Sequence, residues 1–223
     1  MEEDLQLLGL KLWDCSDERF QHSHIRKFAR DLNDKWRESH DLSSWQGLYQ
    51  WSIDKPQEFW KTFANFCDIK WQKTHDSIYE PKHSDKMWGG KWFVGSQLNF
   101  AENLLEPVND QIAIISVREK EQARVLTRRQ LFDDVARLAS SLRYHGLSKG
   151  DVVAGVLTNS TEAIVAMLAT AACGGVWTSC SPDFGSRGII DRLSQVCPKF
   201  VFYDLGYQYN GKWYDCSEKI QDC

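Results

Sequence analysis

Between Gly150 and Asp204 the chain reads "GDVVAGVLTNSTEAIVAMLATAACGGVWTSCSPDFGSRGIIDRLSQVCPKFVFYD". Three short apolar runs, near 152–157, 176–180 and 200–204, alternate with two helical patterns, near 160–173 and 186–197. An apolar run of strand length with no alternation needs cover on both faces. Short loops between such strands and helices leave one economical arrangement: right-handed crossover units in a parallel sheet. The fold class expected is therefore α/β, a mostly parallel sheet flanked by helices. A fourth strand, "IAIISV" (112–117), is expected to join that sheet, with "RVL" (124–126) as a hairpin return.

The helix between these strands carries its own punctuation. Thr127 and Gln130 have the spacing of a capping box, Leu131, Val135, Leu138 and Leu142 recur at helical spacing, and Gly146 follows where a left-handed residue closes a helix.

The first hundred residues have a different character. Most of the ten Trp and eleven Phe fall there, and large rings in such number indicate packing. "DERFQHSHIRKFARDLN" carries a loose helical stripe of Phe20, Ile25, Phe28 and Leu32. His22 and His24 lack a third ligand, so they read as a solvated face. Pro56 suits the first turn of a helix, with Asp54 as cap and Phe59, Trp60, Phe63, Phe66 and Cys67 on one face. Residues 86–98 read as a Gly-rich surface loop, and their glycines lack the phosphate-cradle spacing. Asn99–Leu105 reads as a short helix.

A net charge of -4 gives no reason to invoke nucleic acid or an anionic membrane. The start, "MEEDLQLLGLKLWD", lacks the pattern of a signal peptide, and the longest apolar run, 163–177, is too short to cross a bilayer. Seven cysteines without a C-x-x-C pair point to free thiols and the cytosol.

One turn stands out. Ser181, Pro182, Asp183, Phe184 and Gly185 lie where a central strand ends and a helix begins, the edge at which open α/β sheets bind ligands. Asp183 is a cap candidate, and Gly185 permits an unusual backbone angle. An ordinary connection with Phe184 in the core accounts for the same residues.

Several stretches, in order, resemble the acyl- and acetoacetyl-CoA synthetases, which are adenylate-forming ligases. They are "LYQWSI" (48–53) with "FW" (59–60), "WFVGSQLNFAENLL" (92–105), the run from Gly150 to Gly185, and "DRLSQVCPK" (191–199). The "SPDFG" turn is most similar to the acetoacetyl-CoA branch. The resemblance implies an N-terminal extension over 1–107 and the first part of an AMP-binding domain over 108–223, a partial N-terminal domain preceded by an aromatic-rich helical segment. It implies activation of acetoacetate with ATP and Mg²⁺ to acyl-AMP, then transfer to CoA. The family's Ser/Thr/Gly-rich phosphate loop with its Lys has no match in these 223 residues. No catalytic residue and no metal ligand is therefore assigned, and the chain alone is expected to be inactive. What the resemblance assigns is part of a CoA channel: Ser181, Pro182 and Asp183 beside the pantetheine, and Asn210, Gly211 and Lys212 at the 3′-phosphate. The alternative is a non-catalytic module that binds CoA or a protein partner.

Overall fold

The computed structural model describes residues 13–33, 41–42, 44–83, 88–119 and 122–221. The chain divides into two compact units, the first comprising residues up to 69 with 73–96, the second 70–72 with 97 onward.

In the first unit the expected single helix is two: α1 (Asp17–Gln21), capped by Ser16, and α2 (His24–Asn33). Phe28 and Leu32 are buried, whereas Phe20 and Ile25 stay exposed. The two histidines are exposed, and the His22 ring lies on the Glu18 carbonyl at 2.7 Å. Helix α3 (Trp45–Asp54) is capped by Ser44, whose Oγ accepts from the Gly47 amide at 3.1 Å. Helix α4 (Pro56–Phe66) begins with its proline, as expected. Asp54 does not cap it. That residue closes α3 instead, and Lys55 stands at the cap without a side-chain bond. Trp51, Leu32, Leu42, Leu48 and Phe28 form the core, with Phe59 and Phe66 packed on it. Trp51 meets Phe59 at 5.6 Å and Phe28 meets Phe63 at 5.4 Å, both edge to face, the geometry that the ring quadrupoles favour. The Gly-rich stretch is more than a loop: β1 (Ser77–Glu80) pairs antiparallel with β2 (Lys91–Val94).

The second unit opens with α5 (Phe100–Leu105), whose cap, Asn99, also donates from its side chain to the Ala171 carbonyl at 3.0 Å. Strands β3 (Ile112–Ser116) and β4 (Arg124–Thr127) form an antiparallel hairpin. Among the described residues this hairpin is a sheet of its own, so the parallel sheet has three strands and the expected fourth pairs only with its return. Helix α6 (Arg128–Tyr144) starts on the full capping box, with Thr127 and Gln130 each serving the other's backbone. It ends before Gly146, whose φ of 91° no branched residue would tolerate.

Then come β5 (Val152–Val156), α7 (Thr161–Ala172), β6 (Val176–Cys180), α8 (Ser186–Leu193) and β7 (Phe200–Tyr203). Strand β5 lies between β6 and β7, parallel to both. Central position and helix cover bury it from Val153 to Val156. Gly155 is required there: a Cβ would sit 2.6 Å from the Trp177 ring. Leu131, Val135, Ala139 and Leu142 of α6, Leu168 and Ala169 of α7, and Val153 make one core. Helix α8 stops at Leu193, short of the expected 197, and Cys197 turns left-handed (φ 45°) before Pro198.

A second hairpin follows, β8 (Gly206–Tyr209) with β9 (Lys212–Asp215), and then α9 (Ser217–Gln221). Among the described residues no helix is long and apolar enough to cross a membrane, and the six described cysteines are free.

Candidate functional site

The carboxyl ends of the three parallel strands converge on one polar edge. Strand β5 runs out into Thr158 and β7 into Asp204. One carboxylate oxygen of Asp204 accepts from both the Thr158 amide (2.8 Å) and the Thr158 hydroxyl (2.7 Å). On the other side of β5 from β7, β6 delivers the Ser181–Gly185 turn.

That turn is built by short-range bonds. The Ser181 carbonyl accepts from the Phe184 amide at 3.3 Å, and the Ser181 hydroxyl oxygen accepts from the Asp183 amide at 3.3 Å. Pro182 is fully buried, so the wall is stiff and its carbonyl is fixed. That carbonyl accepts from the Lys219 ammonium at 3.2 Å and faces the Cys216 thiol at 4.0 Å. Asp183 is exposed. Its carboxylate takes the Tyr207 hydroxyl as donor, which pushes that phenol up to about 12, with burial and the Asp183 charge adding to the shift. Burial likewise raises the Cys216 thiol, so it stays protonated at neutral pH.

Three readings of this turn are corrected. Asp183 does not cap α8: Gly185 occupies the cap, without a side-chain bond. Gly185 has an ordinary φ of -68°, so its conformation is open to any residue. Phe184 is not a core plug either. It is 38% exposed and lies under the Arg192 guanidinium, 4.3 Å from the ring centre.

The other three candidate residues occupy the tip of the β8–β9 hairpin. Asn210 and Gly211 both have positive φ (49° and 75°), as a two-residue hairpin turn of this hand requires. Lys212 opens β9, is exposed, and has no carboxylate within ion-pair distance among the described residues. The Asn210 and Gly211 amides donate to the two oxygens of the Glu119 carboxylate, at 2.8 and 2.9 Å.

The six candidates thus fall into two clusters on one hairpin. Of the first three, Asp183 meets its base through Tyr207 and the Pro182 carbonyl meets Cys216 just after it, while Ser181 shapes the turn that carries them. Asn210, Gly211 and Lys212 form its tip, three residues further along β8, or about 10 Å of extended strand. Sequence reasoning missed the hairpin itself, although Asn-Gly between aromatic runs is a strong hairpin signal. It also missed Tyr207, Asp204 and Glu119, whose partners lie far away in sequence.

A cavity of about 510 Å³ lies elsewhere, between α6 and α7, lined by Arg124, Arg137, Val165 and Phe202 among others. None of the six candidates borders it. A groove of about 340 Å³ follows the polar edge past Thr158, Asn159 and Ser179. Among the described residues no cluster of three or more His, Cys, Asp or Glu side chains is placed to hold a metal ion, so no residue is matched to Mg²⁺.

Known proteins share this framework. The model of the AMP-binding enzyme family matches residues 101–221, and that of the acetyl-coenzyme A synthetase N-terminus matches 45–104. The acetoacetyl-CoA synthetase of Danio rerio is 41% identical over 82% of this chain and 27% of its own length. A malonamoyl-CoA synthetase of Penicillium aethiopicum is 37% identical over 87% of this chain and 27% of its own. The structure of acetoacetyl-CoA synthetase from Streptomyces lividans superposes with a TM-score of 0.88 at 34% identity, covering 96% of this chain and 33% of that one. The chain therefore spans about a quarter to a third of the length of these relatives. With a family model matched over more than half of its residues and its architecture reproduced in a solved relative, the chain belongs to the AMP-binding enzyme family.

Proposed function

We propose that this chain supplies one wall of the CoA channel of an acetoacetate–CoA ligase. Residues 1–107 act as the N-terminal extension and 108–223 as the first part of the AMP-binding domain. The complete ligase joins acetoacetate to AMP at the expense of ATP, with Mg²⁺, and passes the acyl group to the CoA thiol in the cytosol. This chain's own residues orient CoA. Ser181–Asp183 line the pantetheine, and Lys212 with the Asn210 and Gly211 amides meets the 3′-phosphate.

The observation that carries this reading is the shared hairpin. Asp183 is tied to its base through Tyr207, while its tip carries two amides already donating to a carboxylate, that of Glu119, and a lysine without an ion-pair partner among the described residues. A stiff wall at one end and anion donors at the other suit a ligand with an apolar arm and a phosphate.

Adenylation needs fixed donors around the α-phosphate, each worth roughly 3–4 kcal/mol to the transition state. The 223 residues contain no Ser/Thr/Gly-rich Lys loop to supply them. The expected result is CoA binding without turnover. Calorimetry should show weak binding of CoA that Lys212→Ala abolishes. No pyrophosphate should form from ATP, Mg²⁺ and acetoacetate. Unchanged CoA affinity in Lys212→Ala, or turnover within about a hundredfold of a full-length relative, would overturn the reading.

A further inference from the structure

The two amides at the β8–β9 tip already hold an anion, and it belongs to the protein. A two-residue hairpin turn leaves the N–H groups of its central residues outside the strand ladder, free for an external acceptor. Here Asn210 and Gly211 present theirs side by side, and Glu119 receives one on each carboxylate oxygen, at 2.8 and 2.9 Å. Glu119 comes from the turn of the β3–β4 hairpin, 91 residues from Asn210. All three residues are exposed, and Lys212 follows directly. A phosphate monoester offers the same two-oxygen edge with a larger charge, and consecutive backbone amides are a known cradle for it.

We propose that Glu119 is a built-in competitor at this anion site: its carboxylate must leave the Asn210 and Gly211 amides before a phosphate monoester can take them. The proposal rests on the reading of this hairpin as the CoA phosphate contact, and it names the residue that sets the strength and selectivity of that contact. While Glu119 is seated, the tip presents a negative carboxylate beside Lys212 and discriminates little between ligands with and without a terminal phosphate. Once Glu119 swings out, two donors and an ammonium converge on one dianion.

The test measures CoA and dephospho-CoA binding to the full chain and to Glu119→Ala and Glu119→Gln, with amide shifts of Asn210 and Gly211 followed during titration with inorganic phosphate. Glu119→Ala is expected to tighten CoA roughly tenfold, about the worth of one charge-assisted hydrogen bond, and to leave dephospho-CoA unchanged. Glu119→Gln should move the same way by less. The two amides should respond to phosphate at lower concentration in Glu119→Ala than in the parent. If Lys212→Ala weakens CoA but neither Glu119 variant strengthens it, the competitor is disproved while the hairpin reading stands. If both ligands tighten equally, the gain does not come from the phosphate and the competitor is again disproved. If phosphate moves neither amide in Glu119→Ala, the tip is no anion site and Glu119 is only a brace.

Discussion

The two compact units bury their interiors by different means. The first relies on a few large rings. Trp51 is 1% exposed and meets Phe59 edge to face, and Phe28 meets Phe59 and Phe63 edge to face and Phe66 tilted. The second relies on many small aliphatic groups in flat layers, with Ala101, Ala139, Val153 and Ala169 all at 2% or less. A ring core concentrates its stabilisation in single residues. A layered core spreads it thinly and depends on close approach of backbones, which is why Gly155 lies directly beneath Trp177. The polar edge needs the second kind of construction, since it is made of strand ends whose spacing the layers fix.

The largest effect expected from this contrast is Trp51→Ala. It should cost about 3–5 kcal/mol. Hydrogen exchange should show protection lost over residues 24–33 and 45–66 before it is lost over 152–203. Equal loss in both stretches would remove the distinction between a concentrated core and a distributed one.

A smaller change should test the layered core from the opposite direction. Gly155→Ala adds one methyl where a ring carbon stands 2.6 Å away. Overpacking of this kind costs about 1–3 kcal/mol, read as a lower urea midpoint with an unchanged slope. Substitution without loss of stability would show that Trp177 has room to move and that the layers are looser than described.

The smallest effect separates the polar edge from both cores. Tyr207 is pushed up to about 12, chiefly by donating to Asp183. A raised phenol means that the bond favours folding fully below pH 10, the ordinary tyrosine value, and that this contribution is lost as pH rises through about 12. Asp183→Asn should bring Tyr207 down toward 10 and lower the melting temperature near neutral pH, where the bond is fully formed, by about 2–4 °C. A rapid ultraviolet titration of phenolate reads this directly. A parent chain without a late-titrating tyrosine would break the link between turn and hairpin.

Legibility in the sequence followed the range of the interactions. The strands and helices from Val152 to Tyr203 were readable because their signals are local: apolar runs of strand length separated by helical patterns and short polar turns. The Thr127 capping box was readable for the same reason, since both partners lie within one turn. The antiparallel pair of Ser77–Glu80 with Lys91–Val94 was not, because Gly89, Gly90 and Gly95 gave the stretch the look of a loop. Placing Ile112–Ser116 in the parallel sheet failed on a choice that no local signal makes, between its own return strand and a distant neighbour. At the candidate site the turn was legible and its surroundings were not. Asp183 finds Tyr207 through tertiary folding, and the Asn210 amide finds Glu119 across 91 residues. No periodicity encodes such meetings.

The double acceptance by Asp204 has a consequence for how the sheet can assemble. Parallel strands that are apolar throughout offer little to distinguish one alignment from the next, because a shift by one residue still places apolar groups on both faces. The native pairing sets Val156 opposite Tyr203, and immediately beyond it Asp204 takes both donors of Thr158. Sliding the last strand by one residue would carry that carboxylate about 3.3 Å away and strand a half-buried amide and hydroxyl together. Asp204 thus works as a vernier mark: it admits one alignment of an otherwise slippery pair, and every loop leaving that edge inherits its position from the choice.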